Sequence, residues 1–367
     1  MSRTASQNVT TMQKGRGALS NPPGRFETTH AHPVDDGWHQ DTQAQVATLW
    51  RDDVARTVIT RNQSPDISFD RSVNPYRGCE HGCVYCFARP THGYLGHSTG
   101  LDFERLLYAK RGAASLLEKE LAAPRYEVAP IALGVNTDAY QPLERSLKIT
   151  RQLLHVLVET RHPVYLITKS ALIERDIDLL QDLASENLVS VAISITSKDR
   201  DLTRLLEPRA ASAARRLRTL NTLSNAGIPT RLSLAPLIPA LNEPEIESLV
   251  QSAADCGASA AHYALLRLPH ELKQVFSEWL HAHYPLRAAR ILKAIRSVRP
   301  QRDADSLNDS RFGSRFSGEG PRAELIQQRF DAACRRAGIA QNGRLPQLNC
   351  SAFSPPNSSG QLSLFTG

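Results

Sequence analysis

The sequence predicts an α/β fold built on a parallel sheet, and three observations carry that prediction. Short β-branched runs recur about every thirty residues, the length of one β-α unit. Amphipathic stretches of helical period separate them. Asn225-Ala226-Gly227-Ile228-Pro229 then reads as a helix stop followed by a proline at the mouth of the next strand. Such a series forms a parallel sheet, open or curled toward a barrel.

Strands are expected over 131–135, 164–168, 188–195, 230–234 and 258–266, and helices over 143–160, 172–185, 213–226 and 243–256. Residues 1–60 mix Gly, Pro, Asn, Gln and His without periodicity and read as a partly irregular extension that wraps the core or stays mobile. The α/β core is expected over 65–268. Residues 269–340 read as a helical C-terminal region, with helices over 272–283, 287–298 and 322–337 and a polar loop over 300–321. Residues 351–367 have the composition of a flexible linker.

With 367 residues, 41% hydrophobic and 22% charged, the chain can bury a full core, and no apolar run approaches the roughly 20 residues that span a bilayer. Residues 1–24 are polar and lack the apolar stretch of a secretory signal, so a soluble cytoplasmic protein is expected. Three of the six cysteines fall within eight residues while Cys256, Cys334 and Cys350 are scattered, which suits metal binding better than a disulfide framework. A net charge of +7 leans mildly toward a polyanionic partner.

The segment Asn74-Pro75-Tyr76-Arg77-Gly78-Cys79-Glu80-His81-Gly82-Cys83-Val84-Tyr85-Cys86 presents three thiols from one loop, with three and two residues between them. Iron–sulfur clusters are usually held by four cysteine thiolates. With three, a cubane keeps one iron open for a non-protein ligand. Gly78 and Gly82 permit the tight backbone path that turns the sulfurs inward. The competing reading is a structural zinc site with His81 or His92 as fourth ligand, although zinc knuckles favour two separated ligand pairs.

This Cys-x3-Cys-x2-Cys loop, with aromatic Tyr85 before the last cysteine, resembles the signature of the radical S-adenosylmethionine (SAM) superfamily. The resemblance implies a partial (β/α)6 TIM-like barrel, a [4Fe–4S] cluster on Cys79, Cys83 and Cys86, and SAM on the open iron. It implies that the backbone at Tyr85 meets the SAM adenine. Polar groups after the second strand would hold the SAM amino group, here Asn136, Thr137 and Asp138. The usual Gly-Gly-Glu is absent, and a helix-capping role for Thr137 or Asp138 competes. Lys169 and Ser170, Ser194 and Thr196, and Arg231 stand at or near later strand ends, where SAM ribose or carboxylate would lie. Glu207-Pro208-Arg209 and residues 236–243 are expected on the substrate side.

The fuller pattern is similar to the DNA-repair-photolyase-like branch related to spore photoproduct lyase. It comprises Asn74-Pro75-Tyr76-Arg77-Gly78-Cys79, then Thr137-Asp138-x-Tyr140-Gln141-Pro142-x-Glu144, then Leu206-Glu207-Pro208, within residues 65–300. That lyase needs a cysteine near the second-strand end to return a hydrogen atom, whereas this chain reads Val135-Asn136-Thr137 there. Cys256, Cys334 and Cys350 remain as substitutes if the fold brings one close.

Two features bear on nucleic acid. Arg287, Arg290, Lys293 and Arg296 share one half of a predicted helix, and basic residues outnumber acidic ones nine to four over 287–322. A solvated outer helix face is the alternative. Gln361-Leu362-Ser363-Leu364-Phe365 looks like the pentapeptide by which bacterial repair proteins dock on the DNA polymerase sliding clamp; folding back onto the enzyme's own core is the alternative. The expectation is a radical SAM enzyme, fed by a reducing electron donor, that makes a 5′-deoxyadenosyl radical and acts on nucleic acid in a lesion-repair-like reaction. The rival readings are the same chemistry on RNA or a small metabolite, and a non-catalytic zinc-stabilised nucleic-acid-binding protein.

Overall fold

A computed structural model describes residues 14–26, 47–299, 306–341 and 347–356. β1 (Leu49–Asp52) and β2 (Ile59–Arg61) arise from the stretch predicted to be irregular. β3 (Arg71–Val73) opens into the cysteine loop, which contains the short β4 (Tyr76–Arg77). α1 (Leu101–Arg105), β5 (Leu106–Ala109) and α2 (Ala113–Leu121) follow. The regular alternation then runs β6 (Ile131–Leu133), α3 (Glu144–Leu147), α4 (Ile149–Glu159), β7 (Val164–Thr168), α5 (Ile177–Ser185), β8 (Val189–Ser194), α6 (Arg200–Leu206), α7 (Ala213–Asn225), β9 (Thr230–Leu237), α8 (Ile246–Asp255) and β10 (Ala260–Leu265). α9 (Leu272–His283), α10 (Ala288–Arg296), α11 (Pro321–Ala337) and β11 (Ala340–Gln341) complete the described elements.

The main sheet has the order β11-β10-β9-β8-β7-β6-β3-β2, and every neighbouring pair is parallel except β2 with β3. β3 and β6 to β10 are the six parallel strands the resemblance implies. The sheet is open, with β2 and β11 at its two edges. β8 explains why the layers form. Val189, Val191 and Ile193 join the core shared with Leu153, Leu157, Leu180, Leu220 and Leu249 of the flanking helices. Ser190, Ala192 and Ser194 lie on the other face, because side chains alternate along a strand. Each leucine buried in that layer contributes roughly 1.5–3 kcal/mol.

The helix expected over 143–160 is interrupted at Lys148, which takes φ 53°. The break lets the buried Glu144 carboxylate accept the N–H of Thr150 at 3.0 Å, capping α4. The C-terminal region is not wholly helical, since β11 returns to add a parallel strand beside β10. The start of the expected flexible tail is packed as well. Ser354 N–H bonds Thr160 O at 2.9 Å, and the Phe353 ring lies 5.3 Å from His162 and 5.6 Å from Tyr126. Phe353 supplies an apolar anchor that the Ser/Pro composition around it conceals. Gln361, Leu362, Ser363, Leu364 and Phe365 lie outside the described residues. No helix among the described residues is long and apolar enough to cross a membrane.

Candidate active site

The cysteine loop leaves β3 at the carboxyl end of the parallel sheet, where sites of such folds form. Gly78 and Gly82 hold φ of 73° and 67°. A side chain at Gly78 would strike the Phe103 carbonyl at 2.9 Å, so the tight path the sequence calls for is built. Cys79 and Cys83 are buried and Cys86 is partly so. All three line one cavity of about 450 Å³, together with His81, Tyr85, Asn136, Thr137, Asp138, Lys169 and Ser194. Burial pushes the Cys79 thiol well above its ordinary value, the Cys83 thiol up to about 12, and Cys86 upward too. Each must release its proton to bind iron.

Three soft sulfur donors in one buried cavity fit an iron–sulfur cluster. Among the described residues no group of three or more His, Cys, Asp or Glu side chains is arranged to hold a single metal ion. A cubane spaces its thiolates more widely than one ion does. His92, a candidate zinc ligand, points away: its Nε2–H donates to Leu106 O at 2.9 Å, and its ring packs on Phe103.

What grips the loop is a set of buried polar contacts. Arg89, wholly buried, donates to the carbonyls of Cys83, Thr99, Gly100 and Gly82 and pairs with Glu104 at 2.5 Å. Glu104 also accepts the N–H groups of Gly17 and Ala18 at 3.0 and 2.8 Å, so the N-terminal segment lies against the loop. The sequence places no chemistry in that segment, and the structure makes it a brace. Gln141 accepts the Glu80 N–H at 2.9 Å and donates to Gly78 O at 3.2 Å. Asn74 Oδ1 accepts the Asn136 N–H at 2.9 Å, Thr137 Oγ1 donates to Tyr76 O at 2.6 Å, and the Tyr76 hydroxyl donates to Glu144. The motifs around Asn74 and around Thr137 are therefore zipped to each other.

Glu207-Pro208-Arg209, expected on the substrate side, does not line the cavity and with Leu206 forms a second brace. The Val84 N–H bonds Leu206 O at 3.0 Å and the Arg209 N–H bonds His81 O at 3.2 Å. Glu207 is buried, accepts from the Tyr85 and Thr196 hydroxyls, and pairs with Arg216. Burial alone would raise Glu207, but the Arg216 and Lys169 charges outweigh it and hold the carboxyl at about 2. A buried carboxylate engaged this way is unavailable to substrate. Pro236, from the other expected loop, does line the cavity.

The candidate SAM residues divide sharply. Asp138 accepts from Thr168 Oγ1 at 2.7 Å, Lys169 N–H at 2.8 Å and Tyr140 N–H at 2.9 Å, and faces His81 Nδ1 at 3.4 Å. Burial alone would raise it, yet His81 and these donors hold it well below the usual carboxylate range. Thr137 is spent on Tyr76. The Asn136 side-chain amide and the Ser194 hydroxyl have no hydrogen bond among the described residues and face the cavity. The Lys169 ammonium sits 6.0 Å from the Tyr85 ring centre. Burial would lower it, but Cys83 and Glu207 outweigh that and hold it above its ordinary value.

Arg231 does not line this cavity. It is buried lower in the sheet, with Nη2 at 3.2 Å from His262 Nδ1. Cys256, Cys334 and Cys350 are absent from the cavity wall too. Cys350 lies beside Tyr165 and Asn187 in a separate open cleft. Arg267, Arg315 and Phe316 do line the cavity and went unread in the sequence, because their contacts span long stretches of chain.

The family model that matches residues 73–253 is that of the radical SAM superfamily. Residues 73–253, 181 of the 367 in the chain, are thus similar to a radical SAM domain. The radical SAM superfamily is one of enzymes that use a [4Fe–4S] cluster and SAM, so both cofactors follow from this domain. An uncharacterized protein of Mycobacterium tuberculosis is 33% identical over 221 residues, covering 60% of this chain and 65% of that protein. One of Methanocaldococcus jannaschii is 28% identical over 176 residues, covering 47% of this chain and 62% of that protein. The chain thus spans 65% or less of the length of these relatives. Spore photoproduct lyase complexed with dinucleoside spore photoproduct superposes with a TM-score of 0.57 at 16% identity, over 80% of this chain and 81% of that one. A variant of that lyase with bound SAM and the same dinucleoside gives 0.57 at 16% identity, with the same coverage. The radical SAM fold is shared with these structures.

Proposed function

We propose that this chain cleaves SAM reductively at a [4Fe–4S] cluster and uses the resulting 5′-deoxyadenosyl radical on nucleic acid. The observation that carries the reading is that Cys79, Cys83 and Cys86 share one cavity with unspent polar groups at the carboxyl ends of the parallel strands. The three cysteines would hold the cluster. When bound, the cluster and SAM supply the one-electron cleavage that releases methionine and the radical.

The chain's own residues prepare that step. Lys169 offers a cation to the SAM carboxylate, while Asn136 and Ser194 offer free hydrogen-bonding groups to its amino group and ribose. Ile67, Phe87, Ile167 and Leu265 form an apolar wall that excludes quenching water. Nucleic acid as the substrate is supported by the shared fold with a lyase complexed with a dinucleoside, and by Arg287 just before α10 and Arg290 and Lys293 on it, all three exposed. No cysteine lines the cavity beyond the three in the loop, so hydrogen return through a cysteine is not part of this reading.

The test is anaerobic reconstitution followed by an assay for 5′-deoxyadenosine with and without damaged DNA. A brown protein with about four iron and four sulfide per chain is expected. Cys86→Ala should lose SAM cleavage, and damaged DNA should raise turnover. A colourless zinc protein sinks the cluster, and turnover indifferent to DNA but raised by RNA or a metabolite sinks the substrate class.

A further inference from the structure

The segment 311–316 reads Arg-Phe-Gly-Ser-Arg-Phe and lies across the open side of the sheet, where it meets the loop 62–68. Its side chains form a ladder. The Arg315 guanidinium carbon lies 4.9 Å from the Phe312 ring centre and 4.8 Å from that of Phe316. The Arg267 guanidinium carbon lies 5.2 Å from the Phe316 ring centre. Phe312 is 60% exposed, whereas Arg315, Phe316 and Arg267 line the cavity that holds the three cysteines. Aromatic faces and guanidinium groups thus alternate from the surface into the site.

The charge balance of the ladder is uneven. Arg315 is matched by Asp66, with Nε to Oδ2 at 2.7 Å and Nη2 to Oδ1 at 2.5 Å. Asp309 is engaged by Ser314 at 2.7 Å and Arg311 at 3.2 Å. Arg267 has no hydrogen bond among the described residues, and its Nε is buried without a partner. Burial, followed by the nearby Arg315 charge, presses Arg267 below its ordinary value, as befits a cation without its own carboxylate. Its geometry is nonetheless preset, because Phe316 is held by the Leu265 N–H at 2.8 Å and Arg299 donates to Arg315 O at 3.2 Å.

We propose that Phe312, Arg315, Phe316 and Arg267 form an access track for a single strand of DNA, in which Phe312 stacks on a base and Arg267 binds the phosphate of the nucleotide delivered to the cavity. The inference rests on the nucleic-acid reading above and names how that substrate is held. A single strand alternates bases with phosphates, and the ladder alternates rings with cations. Every base offers a π-face to a ring, at roughly 1–3 kcal/mol per stacked base. A guanidinium laid on an aromatic ring presents its fork to phosphate with little rotamer entropy left to lose. A base inside a duplex cannot reach the cavity, so the strand arrives unpaired or with its target extruded.

The experiment measures binding of a labelled short oligothymidylate to the cluster-loaded protein with SAM, across a range of salt concentrations. Arg267→Gln should weaken binding about ten-fold and make the slope of log K against log salt shallower by about 0.7, the share of one phosphate on a single strand. Phe312→Ala should weaken binding about ten-fold with the slope unchanged. Arg267→Lys should keep the slope, and SAM affinity should match wild type in all three variants. An Arg267→Gln protein with wild-type slope and affinity overturns the track, as does one that loses SAM affinity in step with DNA. Wild-type protein that cleaves SAM yet ignores the oligothymidylate at low salt overturns the nucleic-acid reading itself, and the track with it. Wild-type binding that both neutral variants reproduce removes the track alone.

Discussion

Gln141 is fully buried, and both ends of its amide are used, Oε1 by the Glu80 N–H and Nε2 by the Gly78 carbonyl. The same economy runs through the motif residues. Glu144 caps α4, takes the Tyr76 hydroxyl and pairs with Arg175 at 2.8 Å, while Asp138 ties the end of β7 to His81. The cysteine spacing in the sequence announces a metal loop because three adjacent thiols have few other uses. It cannot tell which polar neighbours are spent on the backbone, since that depends on donors many residues away. Three histidines make the electrostatic cost of burial measurable. Burial lowers His92, His162 and His262 to about 4 in the folded chain, against an ordinary value of 6.5. The unfolded chain therefore takes up protons first as the pH falls. Stability full above about 6.5 should be lost progressively toward about 4, by up to about 1.4 kcal/mol per pH unit per histidine. His162→Gln should flatten part of that fall in thermal midpoints measured over this range, and an unaltered curve would clear His162 of any share.

At the scale of elements, the cysteine loop is held between two segments that the sequence leaves featureless or misassigns. Residues 14–20 cross it on one side, and Leu206 to Arg209 cross it on the other. Gly17 shows how close the first contact is, for a Cβ there would sit 2.0 Å from the Gly82 carbonyl oxygen. Gly17→Ala should thus lift the segment from the loop, cost about 1–3 kcal/mol in urea unfolding, and lower the iron bound per chain. Equal iron content and stability would show that the brace does not grip. The broken helix at Lys148 has the same origin: periodicity sees one amphipathic run, but the capping carboxylate of Glu144 needs a turn to reach Thr150.

At the scale of the whole molecule, the decisive feature is that the sheet does not close. β2 and β11 end it, and Asp66 with Arg315 spans the opening between segments 249 residues apart in sequence. Asp66→Asn removes the carboxylate and leaves two guanidinium groups facing the site. A loss of about 1.5–3 kcal/mol is expected, with hydrogen exchange rising together over 62–70 and 312–320. A rise confined to one of the two segments would mean that the pair is not a clasp.

The amino-acid sequence alone determined the alternating core, since helix and strand periods are local and each strand needs its hydrophobic face covered. It determined the three-cysteine loop for the same local reason, all three ligands lying within eight residues. Only the tertiary structure decided that Asp138 and Glu207 are engaged by neighbouring donors, that Asn136, Lys169 and Ser194 face the cavity with polar groups to spare, and that Arg267 and Phe316 join them. Whether a polar group is spent or free is a property of its partners, and those partners are brought together by strand order rather than by sequence spacing.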